Sequence, residues 1–249
     1  MKMIVTDLDR TLLRHDKTIS QYSIDVFRRL QQQGVKIAIA TARPKRFTDQ
    51  YIQAINPDAA VLHNGAVIYA NGKHHRSFSI PNAGAVDTLQ TIVKQHPEMR
   101  ISVEIEETSY ANFQISDPDW ASTHTDFTDL PKKPVDKMLF SADDIASVKA
   151  TQSVLSENFN AVLGEGWLLM AMSKHACKYL GVKEVASHFG ILPADVVAFG
   201  DDTNDIEMLK NCGVGVAVDN AVDEAKAAAK FICGSYEDDG VARWLEAKM

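Results

Sequence analysis

Cysteine is scarce in this chain, basic residues never cluster, and no apolar run is long. The three cysteines, Cys177, Cys212 and Cys233, are odd in number and widely separated, with no Cys-x-x-Cys among them. That pattern argues against a zinc ribbon and against a disulfide framework, and it fits inert, buried thiols in a reducing compartment. The formal charge is -7. Without a basic run, sequence-independent nucleic-acid binding is disfavoured. The pair Lys132-Lys133 is followed by Pro134 and reads as a loop. Nothing approaches the ~20 apolar residues of a membrane span. The first apolar stretch is too short for a signal peptide, and acids interrupt it at once. The expectation is a soluble, cytoplasmic protein with no nucleic-acid or membrane partner, as a monomer or small homo-oligomer.

What is present is ordinary globular material: 249 residues, 45% hydrophobic and 24% charged. This fits one large domain or a core carrying an inserted module. The first 80 residues alternate strand and helix signals. Lys2 to Thr6, Val35 to Ala40 and Ala59 to Leu62 read as strands. Ser20 to Gln33 and Lys45 to Ile55 read as helices, the first with Ser20 as N-cap and Gly34 as its stop. Asn71-Gly72 predicts a hairpin turn between Ala66–Tyr69 and a strand around Ser77–Ile80. Such alternation argues for a parallel sheet covered by helices.

The character changes near Pro81. A helix over 86–95 is followed by strand signals at Arg100–Glu106, Ser109–Gln114, Asp136–Ser141, Asn160–Leu163 and Trp167–Met172. A further helix is predicted from Asp144 to Asn158. The α/β rhythm resumes near Lys178, with strands at Val196–Phe199, Val214–Ala217 and Phe231–Cys233. Helices are predicted over Tyr179–Phe189, 205–211 and 221–229. The simplest architecture is an α/β core, residues 1–81 and 174–249, interrupted by an α+β module at 82–173.

Chemistry concentrates where core strands end. Asp7 and Asp9 follow the first strand, and in a strand, residues two apart share a face. Both carboxylates are therefore expected at one site, where one could attack a substrate and the other shuttle a proton. Asp201 and Asp205 lie four apart at a strand-to-helix transition and can share the first helical turn. Together the four acids form a dense negative cluster that needs a cation. Hard oxygen ligands without histidine or thiol suit Mg²⁺. Thr41 brings a hydroxyl and a backbone N–H to the end of the second strand, and Lys178 brings a fixed cation. Both suit phosphoryl oxygens. Taken singly, Lys178 reads as a solvated helix lysine, Thr41 as a helix cap and Arg43 as a surface residue. Parallel-strand ends lie along one edge, and that edge is what makes them a set.

The ordered motifs resemble a haloacid dehalogenase-like hydrolase of the Cof type. That family has a Rossmann-like core with a type IIB α+β cap between its second and third motifs. The matching segments are Asp7-Leu8-Asp9-Arg10-Thr11-Leu12-Leu13, Ala40-Thr41-Ala42-Arg43, Lys178, and Gly200-Asp201-Asp202-Thr203-Asn204-Asp205-Ile206-Glu207-Met208-Leu209. His63-Asn64-Gly65-Ala66 resembles the segment leading toward the cap. The resemblance implies a Mg²⁺-dependent phosphatase acting on small phosphorylated metabolites, with sugar phosphates first and phosphorylated cofactors next. It implies Asp7 as the nucleophile that forms an aspartyl-phosphate, and Asp9 as the group that protonates the leaving oxygen and then helps activate water. Asp7, the Asp9 carbonyl and Asp201 would bind the metal, supported by Asp205. Thr41, Lys178 and Asn204 would hold the phosphoryl group, and the cap would close over the core and select the leaving group.

Three positions depart from the family pattern. Arg10, Ala42 and Tyr179 stand where Gly is common, and they bear on loop geometry and substrate fit. Phe113, Trp120, His124 and Trp167 fall in the cap segment but read as ordinary core or surface residues. A phosphomutase or phosphotransferase of the same superfamily would differ only in passing the phosphoryl group to a hydroxyl. A non-catalytic phospholigand sensor would not need the full set of acids. A two-carboxylate glycosidase is disfavoured, because acids two residues apart are too close to straddle a sugar.

Overall fold

The computed structural model describes residues 1–114, 120–164 and 166–249. The chain divides into two compact units, Met1–Arg76 with Cys177–Met249, and Ser77–Ala176. In chain order, the first pass through the core contains Met3–Thr6 (β1), Gln21–Gln32 (α1), Lys36–Ala40 (β2), Asp49–Ile55 (α2), Ala59–Leu62 (β3), Val67–Ala70 (β4) and Lys73–Ser77 (β5). The second unit contains Asn82–Gln95 (α3), Arg100–Ile105 (β6), Thr108–Ala111 (β7), Thr123–His124 (β8), Lys137–Ser141 (β9), Ile145–Leu155 (α4), Phe159–Gly164 (β10) and Leu168–Ser173 (β11). The chain then returns through Lys178–His188 (α5), Val196–Gly200 (β12), Ile206–Asn211 (α6), Val214–Ala217 (β13), Asp223–Ala228 (α7), Phe231–Ile232 (β14) and Gly240–Glu246 (α8).

The core sheet runs β14-β13-β12-β1-β2-β3-β4-β5. From β14 to β3 every pairing is parallel, and β4 returns antiparallel to β3. β1 sits in the middle and all four of its residues are buried. That is why Met-Ile-Val-Thr reads as a continuous run and not an alternation. Ile4, Ile37, Ile39 and Phe199 of the sheet pack with Val26, Phe27 and Leu30 of α1 and Val241 and Leu245 of α8. Ser20 caps α1, its hydroxyl accepting the Ser23 amide.

The hairpin after β3 turns where Asn71-Gly72 predicts, with both residues left-handed (φ 51 and 71). Its returning strand differs from expectation. A two-residue turn obliges pairing to resume at once, so β5 is Lys73–Ser77 and not Ser77–Ile80. Lys-His-His-Arg-Ser carries no apolar signal because it forms a mostly exposed edge strand, where charge discourages further pairing.

In the second unit the sheet order is β10-β11-β9-β6-β7-β8. Its pairings are antiparallel except for the short parallel contact of β7 with β8. Ile101, Val103 and Ile105 point together into a core with Met138, Phe140, Leu169, and Leu89, Ile92, Val148 and Leu155 from α3 and α4. Trp120, His124 and Trp167 are exposed, and Phe113 is half-buried. All three cysteines are free thiols. Burial pushes the thiols of Cys212 and Cys233 up to about 12, which leaves them un-ionised and unreactive. No helix among the described residues is long and apolar enough to cross a membrane.

Candidate active site

The first strand ends at Thr6, but the ladder runs one residue further, because the Asp7 amide donates to the Phe199 carbonyl at 3.1 Å. The chain then turns sharply. The Leu8 carbonyl accepts the amides of Thr11, Leu12 and Leu13 at 3.3, 3.0 and 2.8 Å. Leu8, Leu12 and Leu13 are buried and anchor this turn. Arg10 occupies it with φ +54, a left-handed value that explains why glycine is common at that place in the resemblance.

The turn sets where the second acid points, although its charge still acts on Asp7. Two-residue alternation holds only within a strand, and the strand has ended before Asp9. Asp7 is buried and faces Lys178. The Asp9 carboxylate turns instead to Arg43, whose Nε and Nη2 each donate at 2.6 Å, and to Lys17 Nζ at 2.8 Å. Burial acts to raise the Asp9 carboxyl, but the Arg43 and Lys17 contacts outweigh it and hold it at about 2.

Lys178 begins α5 and is fully buried. Its ammonium donates to Asp205 Oδ1 at 2.7 Å and lies 3.1 Å from Asp7 Oδ1. Burial works against its charge, yet the two carboxylates raise its pKa above the ordinary lysine value. Asp205 is engaged at both oxygens. Its Oδ2 accepts the Asp201 and Asp202 amides at 3.0 and 3.2 Å, closing a capping box at the turn into α6.

Asp201 follows β12, the neighbour of β1 in the sheet. Its Oδ1 accepts the Thr11 hydroxyl at 2.7 Å, and Arg10 Nε lies 3.9 Å from Oδ2. Burial first, and then the Asp205 charge, push its carboxyl up to about 7. Asp7 is likewise raised by burial, Lys178 opposing and Asp205, Asp201 and Asp9 adding. Asp7, Asp201 and Asp205 each offer a carboxylate oxygen within 4.8 Å of the others. This all-oxygen, charge-strained donor set fits a hard divalent cation. With both Asp205 oxygens engaged, Asp7 and Asp201 are the members best able to turn to it.

Thr41 lies just past β2, buried. Its backbone N–H does not point outward as the sequence suggests, because it continues the sheet by donating to Val61 at 2.9 Å. Its hydroxyl accepts the Arg43 amide at 3.2 Å and its carbonyl accepts the Asn64 amide at 3.0 Å. Asn204 Nδ2 donates to Asn64 Oδ1 at 3.0 Å. Ala42 has no positive φ, and Tyr179 lies within α5, so neither departure strains the backbone.

Four participants escape sequence reasoning. Arg43 is mostly buried and grips Asp9, although taken singly it reads as a surface residue. Lys17, Thr11 and Asn64 join the same set. Their partners lie 8, 190 and 140 residues away, beyond any helical or strand period. The one available signal was their presence inside or beside the segments that carry the resemblance.

A family model described as haloacid dehalogenase-like hydrolase matches residues 4–245. A relative from Bacillus subtilis (strain 168), 5-amino-6-(5-phospho-D-ribitylamino)uracil phosphatase, is 28% identical, over 98% of this chain and 96% of its own. Among solved structures, a haloacid dehalogenase-like hydrolase from Bacteroides thetaiotaomicron superposes with a TM-score of 0.85 at 25% identity, covering 100% of this chain and 99% of that one. A subclass IIB sugar phosphatase of the same superfamily gives 0.87 at 22% identity, again over 100% and 99%. With the match running across both passes of the core and the insertion between them, the chain belongs to the haloacid dehalogenase-like hydrolases of the Cof type.

Proposed function

We propose that this phosphatase is Mg²⁺-dependent and hydrolyses phosphate monoesters of small metabolites, sugar phosphates or phosphorylated cofactors, through an aspartyl-phosphate on Asp7. The observation that carries the reading is the buried Asp7–Lys178–Asp205 array beside Asp201. A carboxylate is kept next to a fixed ammonium, in a cluster whose remaining negative charge calls for a cation. The Bacillus relative acts on a phosphorylated ribitylaminouracil and the structural neighbour on sugar phosphates, both small phosphorylated molecules. The cytoplasm, where such metabolites are made, is the proposed place of action.

In this reading Asp7 Oδ attacks phosphorus and the bond to the ester oxygen breaks. The leaving oxygen takes a proton from Asp9. A water then attacks the phosphorus of the acyl phosphate while Asp9 accepts its proton, returning Asp7 and inorganic phosphate. Asp9 cannot deliver a proton while Arg43 and Lys17 keep it ionised, so they let go of it when substrate binds. Lys178, the Thr41 hydroxyl and Asn204 hold the phosphoryl oxygens, and Asp205 keeps Lys178 in place. Asp7, Asp201 and the Asp9 carbonyl would hold Mg²⁺, which when bound supplies charge to the transferring phosphoryl group.

The test is phosphate release from a panel of sugar phosphates, nucleotides and phosphorylated cofactors, with Mg²⁺ or excess EDTA, for wild type and Asp7→Asn. Metal-dependent release that disappears in Asp7→Asn is the expected result. Undiminished release by the variant removes Asp7 as nucleophile. Transfer to a sugar hydroxyl without free phosphate would make the enzyme a mutase.

A further inference from the structure

Between β3 and β4 the chain takes three consecutive left-handed residues, His63, Asn64 and Gly65, with φ of 49, 55 and 102. Such a run is costly for residues bearing a Cβ, and Asn tolerates it best. The turn touches three separate parts of the site. The His63 and Asn64 amides donate to the carbonyls of Arg43 and Thr41 at 3.1 and 3.0 Å. Gly65 packs so closely on the residue before Lys178 that a Cβ would lie 2.2 Å from the Cys177 carbonyl oxygen. The Asn64 side chain, itself buried, reaches Asn204.

That last contact has a chemical consequence. A carboxamide offers a donor at one end and an acceptor at the other, and only the N–H end suits a phosphoryl oxygen. By accepting from Asn204 Nδ2, Asn64 Oδ1 fixes which way the amide faces. The nitrogen keeps a second N–H to offer, while Asn204 Oδ1 is buried with no hydrogen-bond partner.

We propose that Asn64 is a positioning residue of this active site, its Oδ1 holding the Asn204 carboxamide with nitrogen toward the phosphoryl group. This rests on the reading of Asn204 as a phosphoryl-holding residue. Asn64→Gly is the informative variant, since glycine accepts the left-handed backbone and removes only the side chain. The measurement is competitive inhibition by orthovanadate against p-nitrophenyl phosphate turnover in Mg²⁺. It compares wild type, Asn64→Gly, Asn204→Ala and the double variant, with thermal melting of each. A hydrogen bond to a charged group corresponds to about a ten- to hundredfold change in affinity. Each single variant is expected to raise the inhibition constant by about that factor, and the double variant by no more than the larger single effect.

A wild-type inhibition constant in Asn64→Gly or in Asn204→Ala overturns the proposal, and so do effects that multiply in the double variant. If Asn64→Gly does not fold, Asn64→Ala is read in the same way. Failure of the underlying phosphatase reading is separate, since it shows as turnover that survives Asp7→Asn.

Discussion

Arg43 holds Asp9 through both carboxylate oxygens, Nε to Oδ2 and Nη2 to Oδ1, each at 2.6 Å. This planar fork is the geometry in which guanidinium and carboxylate bind most strongly. It keeps Asp9 ionised at about 2, below its ordinary value of about 3.9 when unfolded. A lowered folded value means that the stabilisation is present above the unfolded value and is lost as pH falls through the folded one. Arg43→Met should therefore lower the urea midpoint most at pH 6, and the gap to wild type should narrow below pH 4. A constant remainder is expected from the Arg43 contacts with the Phe47 carbonyl and the Tyr51 ring. A gap that stays level from pH 6 to pH 3 would remove the ion pair as its source.

Asp201 predicts the opposite slope. Its folded value of about 7 lies above the unfolded carboxylate, so its contribution is fully present at acid pH and lost as pH rises toward and through 7. In EDTA, the melting temperature should decline between about pH 5 and 8 relative to Asp201→Asn. Mg²⁺ must displace a proton at low pH, so its stabilising effect on wild type should grow over the same interval. Calorimetry in EDTA and in Mg²⁺ reads both. A Mg²⁺ effect equal at pH 5 and pH 8, or retained in Asp201→Asn, would rule out Asp201 as a ligand.

These two acids show how far the sequence could be read. Asp7 and Asp201 are brought together because the ends of the parallel strands β1 and β12 share an edge, and short apolar runs were enough to locate those strands; Lys178 reaches them from the start of α5. The chain's direction after a strand was not legible. Asp7 and Asp9 are two residues apart, but three amides converging on Leu8 turn the backbone and send Asp9 to a partner 34 residues away. Thr41 shows the same limit, because its amide belongs to the sheet. β5 was missed for another reason, since an exposed edge strand of Lys, His and Arg has no apolar pattern to read.

Lys178 pairs with both Asp7 and Asp205, at 3.1 and 2.7 Å, and it is fully buried. Lys178→Met keeps much of the volume but leaves two buried carboxylates without their partner. Breaking a buried pair in this way costs about 3–5 kcal/mol. Urea unfolding at pH 7 in EDTA should show a loss of that order, with Lys178→Arg losing less stability. A change below about 1 kcal/mol would mean that the carboxylates find other compensation.

Gly200 ends β12 against the side chain that holds the site's loops. A Cβ there would lie 2.5 Å from Asp205 Cγ and 2.7 Å from its Oδ2. That oxygen receives the Asp201 and Asp202 amides, and its twin receives Lys178. Gly200→Ala must therefore push Asp205 aside, at an overpacking cost of about 1–3 kcal/mol. The same movement loosens Lys178 and the backbone of Asp201, so kcat should fall by more than KM rises. Gly84 provides the control. It lies in α3, a Cβ there meets nothing within 4 Å, and Gly84→Ala should stabilise by about 0.5–1 kcal/mol through helix propensity. If Gly200→Ala retains wild-type turnover and stability, Asp205 is not the fixed strut that its hydrogen bonds describe.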